Sequence, residues 1–584
     1  MHCRLLPLLL VALAAAGVRP LGAQAREADP ALVVPERLHV KLVEGSGAEW
    51  RDGTLISRTG ADLASVAALF AAAVVSPLVT TVSWDELDRW HRQASAVQPP
   101  HNRPGHLGLW FRLTLPDAGA ALELHAALRA EPLVQEVYFE PRYEPAGRAV
   151  PAPLLPQDLP PPTPLMTHLQ LTHGPSPDGH GVRAASGILG ARGQGVRVVM
   201  IEQSWILDHE DVSQVTASRF LGPVAPLDMV FACHGTSGAS MICADRNLYG
   251  MTGIADEIDL RLIGLTVHPS LESCIALGLA NSVPADVLMI VLVTQVPILG
   301  SGSWVPVEYF QATFDAVLTA TSLGRHVIAA GGNGNLSLDD PALLNRFNRA
   351  YRDSGAVIVA ASQAGPLLRV SFSNWGSRLD VHSWGEGVAS CCYGTLFFPN
   401  NDYRQAYTIG AAGTSASAPQ VGGLVASIQG AARRQLGQPL SNAQLLALLH
   451  GNGPTTPDVI GRRPDLPSAF AALGILDGLQ TTTPDLQPGD TLMVQVAGPP
   501  GTLLALFGAT APANLPIGLN RNLHLDPAGA VSLAIFALGA APGAWTTTVP
   551  NLPSLHGTEL YFQAVRLAPG GAIELTNSCQ STIL

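Results

Sequence analysis

Between Leu165 and Gly478, short β-branched runs alternate with helical stretches, and this alternation restricts the possible fold more than any other feature. "VRVVMI" (Val196–Ile201), "VLMIVLV" (Val287–Val293), "HVIAA" (His326–Ala330) and "AVIVAAS" (Ala356–Ser362) are apolar at nearly every position, not at every second one. A strand that is apolar on both faces must be covered on both faces. This predicts an α/β domain with a parallel sheet between helical layers. Such sheets present functional groups at the carboxyl ends of their strands. "SNAQLLALLHG" (Ser441–Gly451) sets Ser441 and Gln444 in capping-box positions and ends on glycine, so a helix closes the region.

The flanks have different character. At 584 residues the chain exceeds what one core supports. "MHCRLLPLLLVALAAAGVRPLGAQA" places Arg4 before an apolar stretch and ends in a small-x-small site at Ala23–Ala25. This is the pattern of an export signal over residues 1–25, whose apolar stretch Leu5–Val18 is too short to span a bilayer. Residues 26–144 read as a small α+β domain, with strands "RLHVKLV", "GLWFRLTL" and "VQEVYFEP" and the helix "AGAALELHAALRAEP". Residues 145–164 hold eight prolines in twenty positions, which suits an extended linker. After 479 the chain becomes alternating strand-length segments between Pro/Gly turns, read as a small β-sandwich over 479–584.

A net charge of −12 argues against a nucleic-acid partner. Export would leave six cysteines, Cys233, Cys243, Cys274, Cys391, Cys392 and Cys579, whose pairing the sequence leaves open. Cys233 and Cys243 flank a segment of helical character. Ten helical residues span about 15 Å, beyond disulfide reach.

Four polar residues stand at places where such a sheet does chemistry. Glu202 ends the apolar run Val196–Ile201. His234 leads "HGTSGAS", just ahead of a helix, where a histidine reads equally as a cap. Asn333 follows His326–Ala330 in the glycine-rich turn "AAGGNGN". Ser415 lies in "AAGTSASAPQVGG" at a helix start, with Pro419 read as the residue that begins the helix. A serine hydroxyl becomes a nucleophile beside a base, and the base needs an acid to fix its tautomer.

In the order acid, His, Asn, Ser, these segments resemble the subtilisin-like serine proteases. Gly413–Pro419 is similar to the family's nucleophile motif, His234-Gly235-Thr236 to its histidine motif, "GMTGIA" (Gly250–Ala255) to the segment after the histidine helix, and "VSFSNWGSRLDV" (Val370–Val381) to the segment before the nucleophile. The resemblance spans roughly residues 165–478. It implies a subtilisin-like three-layer α/β catalytic domain and a Ser-His-acid triad of Ser415, His234 and Glu202. It also implies an oxyanion donor at Asn333 and a packing role for Ser417. Glu202 departs from the family's usual Asp, and "HEDV" (His209–Val212) seven residues later fixes the alignment; Asp208 and Asp211 are the alternative acids. The substrate cleft is expected along Val291, Leu292 and Val293, where the family's Ser-Leu-Gly is replaced by bulkier residues, and at Gly331 and Gly332.

"EPLVQEVYFEPRYEP" (Glu131–Pro145) resembles the closing strand and tail of a family pro-domain. The expected molecule is therefore a secreted (extracellular or periplasmic) serine endopeptidase made as a zymogen and cut within Tyr143–Pro164. Its partners are protein or peptide substrate and its own pro-domain as intramolecular inhibitor, with no nucleic acid, no membrane after signal cleavage, and a monomeric state. No cofactor is required; structural calcium at Asp211 and Asn247 is what the resemblance implies. The alternative from another class is a catalytically inactive protein of this fold that binds a surface or a glycan.

Overall fold

The computed structural model describes residues 29–145 and 179–584, apart from 248, 297–298, 301, 365, 477, 483, 518, 539–541 and 568–570. The export signal and most of the Pro-rich segment lie outside the described residues.

Six parallel strands form the central sheet in the spatial order Val381–Trp384, Val357–Ser362, His326–Ala330, Val287–Ile290, Arg197–Glu202, Asp259–Gly264. The apolar runs that predicted it lie inside it. Every residue of the strands Val287–Ile290, His326–Ala330 and Val357–Ser362 is buried. On one face the core includes the long helix Thr414–Gln435 and the helix Met229–Cys243; on the other it includes Leu271–Ala280 and Gln311–Ser322. This is the predicted three-layer α/β domain. Ser441 and Gln444 form the predicted capping box at the start of the helix Asn442–Gly451.

One expected strand is divided. "VLMIVLV" reads as a single strand, but the chain leaves the parallel sheet after Ile290. Leu292–Gln295 then pairs antiparallel with Trp304–Pro306 on one side and Tyr143–Pro145 on the other. Nothing apolar marks the break, because Val291 is as buried as its neighbours.

Before the parallel sheet lies a four-stranded antiparallel sheet in the order Val74–Pro77, Trp110–Thr114, Val33–Leu42, Val134–Pro141, with the helix Ala118–Ala130 packed on it. It docks onto the three-layer domain through buried charge. Asp315, on the helix Gln311–Ser322, accepts from the Gly105 N–H at 2.9 Å and Trp110 Nε1 at 3.2 Å, and pairs with Lys41 Nζ at 3.4 Å.

After the three-layer domain, a three-stranded sheet (Leu479–Thr481, Thr491–Val496, Gly543–Thr548) and a five-stranded sheet enclose a small core, as predicted for a β-sandwich. The buried part of its last strand, Ile573–Ile583, reaches the three-layer domain. The Gln580 N–H donates to Gly187 O at 2.6 Å, and Gln435 Nε2 donates to Ser578 Oγ at 2.9 Å. No described helix is long and apolar enough to cross a membrane.

Candidate active site

Glu202 is the last residue of its strand and is wholly buried. The N–H of Gln203 donates to Glu202 Oε2 at 2.9 Å, and Glu202 Oε1 lies 2.8 Å from His234 Nδ1. A carboxylate at Nδ1 sets the tautomer that leaves Nε2 to accept a proton. The alternative acids are placed elsewhere. Asp208 sits in a turn at φ 61°, and Asp211 bonds to Asn247 and the Met251 N–H.

His234 is not the residue ahead of a helix. The helix runs Met229–Cys243, so His234 lies in its second turn. The helix starts just after Asp228, whose carbonyl accepts the Phe231 and Ala232 N–H groups; an Asp before the apolar run in "PLDMVFACH" is an N-cap signal that the reading of the sequence passed over. Cys233, immediately before His234, forms a disulfide with Cys392 (Cα–Cα 5.3 Å); Cys243, Cys274, Cys391 and Cys579 are buried free thiols.

Ser415 is the second residue of the helix Thr414–Gln435 and is 6% exposed. Pro419 does not begin that helix; it is its sixth residue, in the second turn. A residue with an N–H there would bond the Ser415 carbonyl, and proline forgoes that bond. Ser417 points inward, fully buried, and its Oγ donates to Trp384 O at 3.1 Å. Of the two serines, only Ser415 joins His234 in lining a shared cavity of about 60 Å³, together with Ser237, Tyr393, Thr408 and Ala416.

The Asn333 turn is latched to the start of the Ser415 helix. Asn333 Oδ1 accepts the Thr414 N–H at 3.0 Å, and the Gly332 N–H donates to Thr414 Oγ1 at 3.1 Å. With its oxygen committed to the helix, the Asn333 amide is fixed in orientation. Gly332 permits the approach: its φ is +92°, and a Cβ there would stand 2.5 Å from Trp304 O. Gly331 is equally crowded, since a Cβ would stand 2.6 Å from Val359 O.

Val291, Leu292 and Val293 are buried, and the chain itself covers the strand Leu292–Gln295: Pro145 is registered with Leu292, Glu144 with Val293 and Tyr143 with Thr294. Gln203, the residue after Glu202, donates through Nε2 to Tyr143 O at 3.0 Å. The reading of the sequence missed this contact.

Asp211 and Asn247, expected at a calcium site, do meet. Asn247 Nδ2 donates to Asp211 Oδ1 at 2.8 Å, the Met251 N–H donates to Asp211 Oδ2 at 2.6 Å, and Asn247 Oδ1 accepts the Tyr249 N–H at 3.0 Å. All three oxygens thus accept an N–H, and burial pushes the Asp211 carboxyl up to about 8, toward its neutral form. Calcium takes six to eight oxygens, carboxylates foremost. This closed pair does not fit it. Among the described residues, no group of three His, Cys, Asp or Glu side chains gathers to hold a metal.

Residues 226–456 match the model of the subtilase family, peptidase S8. Alkaline elastase YaB of Bacillus sp. (strain YaB) is 28% identical over 243 residues, 41% of this chain and 56% of that protein. A subtilisin-like protease of Coccidioides posadasii (strain C735) is 34% identical over 134 residues, 22% of this chain and 30% of that one. The chain thus spans about half the length of the first relative and under a third of the second. Among solved structures, a lanthipeptide protease is similar at 18% identity and a TM-score of 0.38, covering 50% of this chain and 94% of that one. The protease domain of PatA is similar at 17% identity and a TM-score of 0.35, covering 48% and 95%.

Proposed function

We propose, from the premise that the chain carries a subtilase-family domain over residues 226–456, that it is a serine endopeptidase working through Ser415, His234 and Glu202. The observation that carries this reading is the Glu202–His234 contact of 2.8 Å, at a histidine that shares its cavity with Ser415. Glu202 lies ahead of the family-matched segment, and its extra methylene still brings an oxygen to Nδ1.

In this mechanism Ser415 Oγ attacks the scissile carbonyl carbon while His234 Nε2 takes the hydroxyl proton. Glu202 stays ionised, holds Nδ1–H and stabilises the imidazolium. Negative charge on the carbonyl oxygen meets the Asn333 amide and the Ser415 N–H at the helix N-terminus. Collapse breaks the C–N bond, and His234 returns its proton to the leaving amine. Water, deprotonated by His234, then opens the acyl ester and restores Ser415.

The N-terminal domain acts as the intramolecular inhibitor of an exported zymogen. Its tail Tyr143–Pro145 lies as an added strand along Leu292–Gln295, where a substrate backbone would lie, which supports this reading. Processing falls after that strand, within the Pro-rich segment.

The test is to purify the full chain and its Ser415→Ala variant, follow their size by mass spectrometry and assay an unfolded protein as substrate. The expected result is loss of the N-terminal domain and substrate cleavage in the wild type only. A wild-type chain that stays intact and, after its N-terminal domain is clipped away by another protease, still cleaves nothing would contradict the reading.

A further inference from the structure

The tail of the N-terminal domain does more than cover the cleft: it carries one side chain into a polar seat built for it. Tyr143 is held from both sides by main-chain contacts. It pairs in the strand register with Thr294, and its carbonyl accepts from Gln203 Nε2 at 3.0 Å. Thr294 Oγ1 donates to the preceding carbonyl, Arg142 O, at 3.0 Å. The Tyr143 ring packs on the apolar cluster that includes Leu271, Leu292 and Phe310.

At the bottom of this apolar seat stand two polar side chains, both wholly buried: Glu272 on the helix Leu271–Ala280 and Thr313 on the helix Gln311–Ser322. The Tyr143 phenol donates to Glu272 Oε1 at 3.3 Å and lies 2.9 Å from Thr313 Oγ1, which donates to the same Glu272 oxygen at 2.6 Å. Glu272 Oε2 has no hydrogen-bond partner among the described residues. When the tail leaves, a buried carboxylate faces the emptied seat with Thr313 as its one described donor. Such a group favours an occupant that brings an O–H to it, because an unpaired buried acceptor costs free energy and an apolar replacement leaves it unpaired.

We infer that Glu272 and Thr313 are specificity-determining residues that select tyrosine over phenylalanine at the substrate position Tyr143 occupies. The inference rests on the proteolytic reading, in which the tail marks the path of a substrate. The ring fills the apolar walls and the hydroxyl satisfies the carboxylate. Phenylalanine keeps the first gain and forfeits the second. A site built to hydrogen-bond a hydroxyl discriminates against the analogue lacking it far more than a hydrophobic slot discriminates by size. A lysine or arginine would meet the carboxylate with charge, but its cation would sit against the apolar walls that the ring now covers.

The test uses enzyme released from the full chain by its own processing, with two internally quenched peptides. One copies residues 141–150 of this sequence and the other carries phenylalanine at the Tyr143 position. The expected result is a kcat/KM at least about tenfold lower for the phenylalanine peptide, with Thr313→Val narrowing the gap to under about twofold. That ratio would not move if Thr313 served only to support the fold. Equal cutting of the two peptides, faster cutting of a lysine peptide, or no cutting of either by an enzyme whose Ser415 reacts with a fluorophosphonate would overturn the inference. Failure of Ser415 to react would instead defeat the proteolytic reading. The seat is then judged by hydrogen exchange in the full chain. Tyr143→Phe is expected to speed exchange of the Leu292–Gln295 amides about tenfold, and unchanged exchange would overturn the inference.

Discussion

Glu202 Oε1 sits 2.8 Å from His234 Nδ1, with the other carboxylate oxygen held by the N–H of Gln203. The carboxylate is thereby fixed by its own backbone before it meets the histidine. Glu202→Gln keeps the shape but can offer an N–H where an acceptor is needed, favouring the wrong imidazole tautomer. It is expected to lower kcat by roughly 10³–10⁴, the scale of the same change in a Ser-His-Asp triad. Glu202→Asp pulls the oxygen back by one methylene and is expected to fall between the two. Steady-state kinetics on one peptide settles the order; a Glu202→Gln enzyme within tenfold of wild type would remove Glu202 from the mechanism.

Asn333 is latched to Thr414, so its amide is positioned before substrate arrives. Asn333→Ala is expected to lower kcat about 10²–10³-fold with KM little changed, the mark of a contact made mainly in the transition state. A loss below tenfold, or one confined to KM, would exclude it as the oxyanion donor.

Asp315 gathers Lys41, Trp110 Nε1 and the Gly105 N–H across the boundary between the N-terminal and catalytic domains. Asp315→Ala leaves two buried donors without their acceptor and takes from the buried Lys41 one of its two carboxylate partners, the other being Glu44 at 2.9 Å. Breaking one side of a buried pair costs about 3–5 kcal/mol. The N-terminal domain should therefore dissociate at lower urea than the rest of the molecule unfolds. Limited proteolysis across a urea series reads this directly, and coincident transitions in wild type and variant would contradict it.

Burial pushes His180, His209, His326 and His524 each down to about 4. In the unfolded chain histidine titrates near 6.5, so the unfolded state takes up protons first as pH falls. Their contribution to stability is complete above about pH 6.5 and is lost progressively as pH drops toward 4. Asp211, pushed by burial up to about 8, and Glu257, pushed by burial up to about 7, act in the opposite sense and cost stability as pH rises toward those values. The four histidines outweigh these two carboxyls. The urea midpoint should fall between pH 7 and pH 4.5, and a midpoint unchanged or higher at pH 4.5 would contradict the assignment.

The sequence carried the architecture because four of the six strands of the parallel sheet are nearly all apolar on both faces; the two edge strands, Asp259–Gly264 and Val381–Trp384, carry Asp259, Arg261, His382 and Ser383 and gave no such signal. Glu202 was legible for the same reason: it is the polar residue that stops such a run. The helix around His234 was misjudged at its start because Asp228, a preferred N-cap residue ahead of the apolar run, was not read as one. The break at Val291 was invisible since both halves of the run are buried, one in the parallel sheet and the other beneath the chain's own tail. The seat of Tyr143 joins residues 129 and 170 positions apart in sequence. Only the docking of two domains brings them together, and no local pattern encodes that.

The central claim is that Ser415 is an activated nucleophile served by His234 and Glu202. Fluorophosphonate labelling of the processed protein, with the adduct mapped by mass spectrometry, tests it without a known substrate. The account predicts one adduct, on the peptide carrying Ser415, absent in Ser415→Ala and strongly slowed in Glu202→Gln. An unlabelled Ser415 after the N-terminal domain has been removed, or equal labelling rates in wild type and Glu202→Gln, would contradict it.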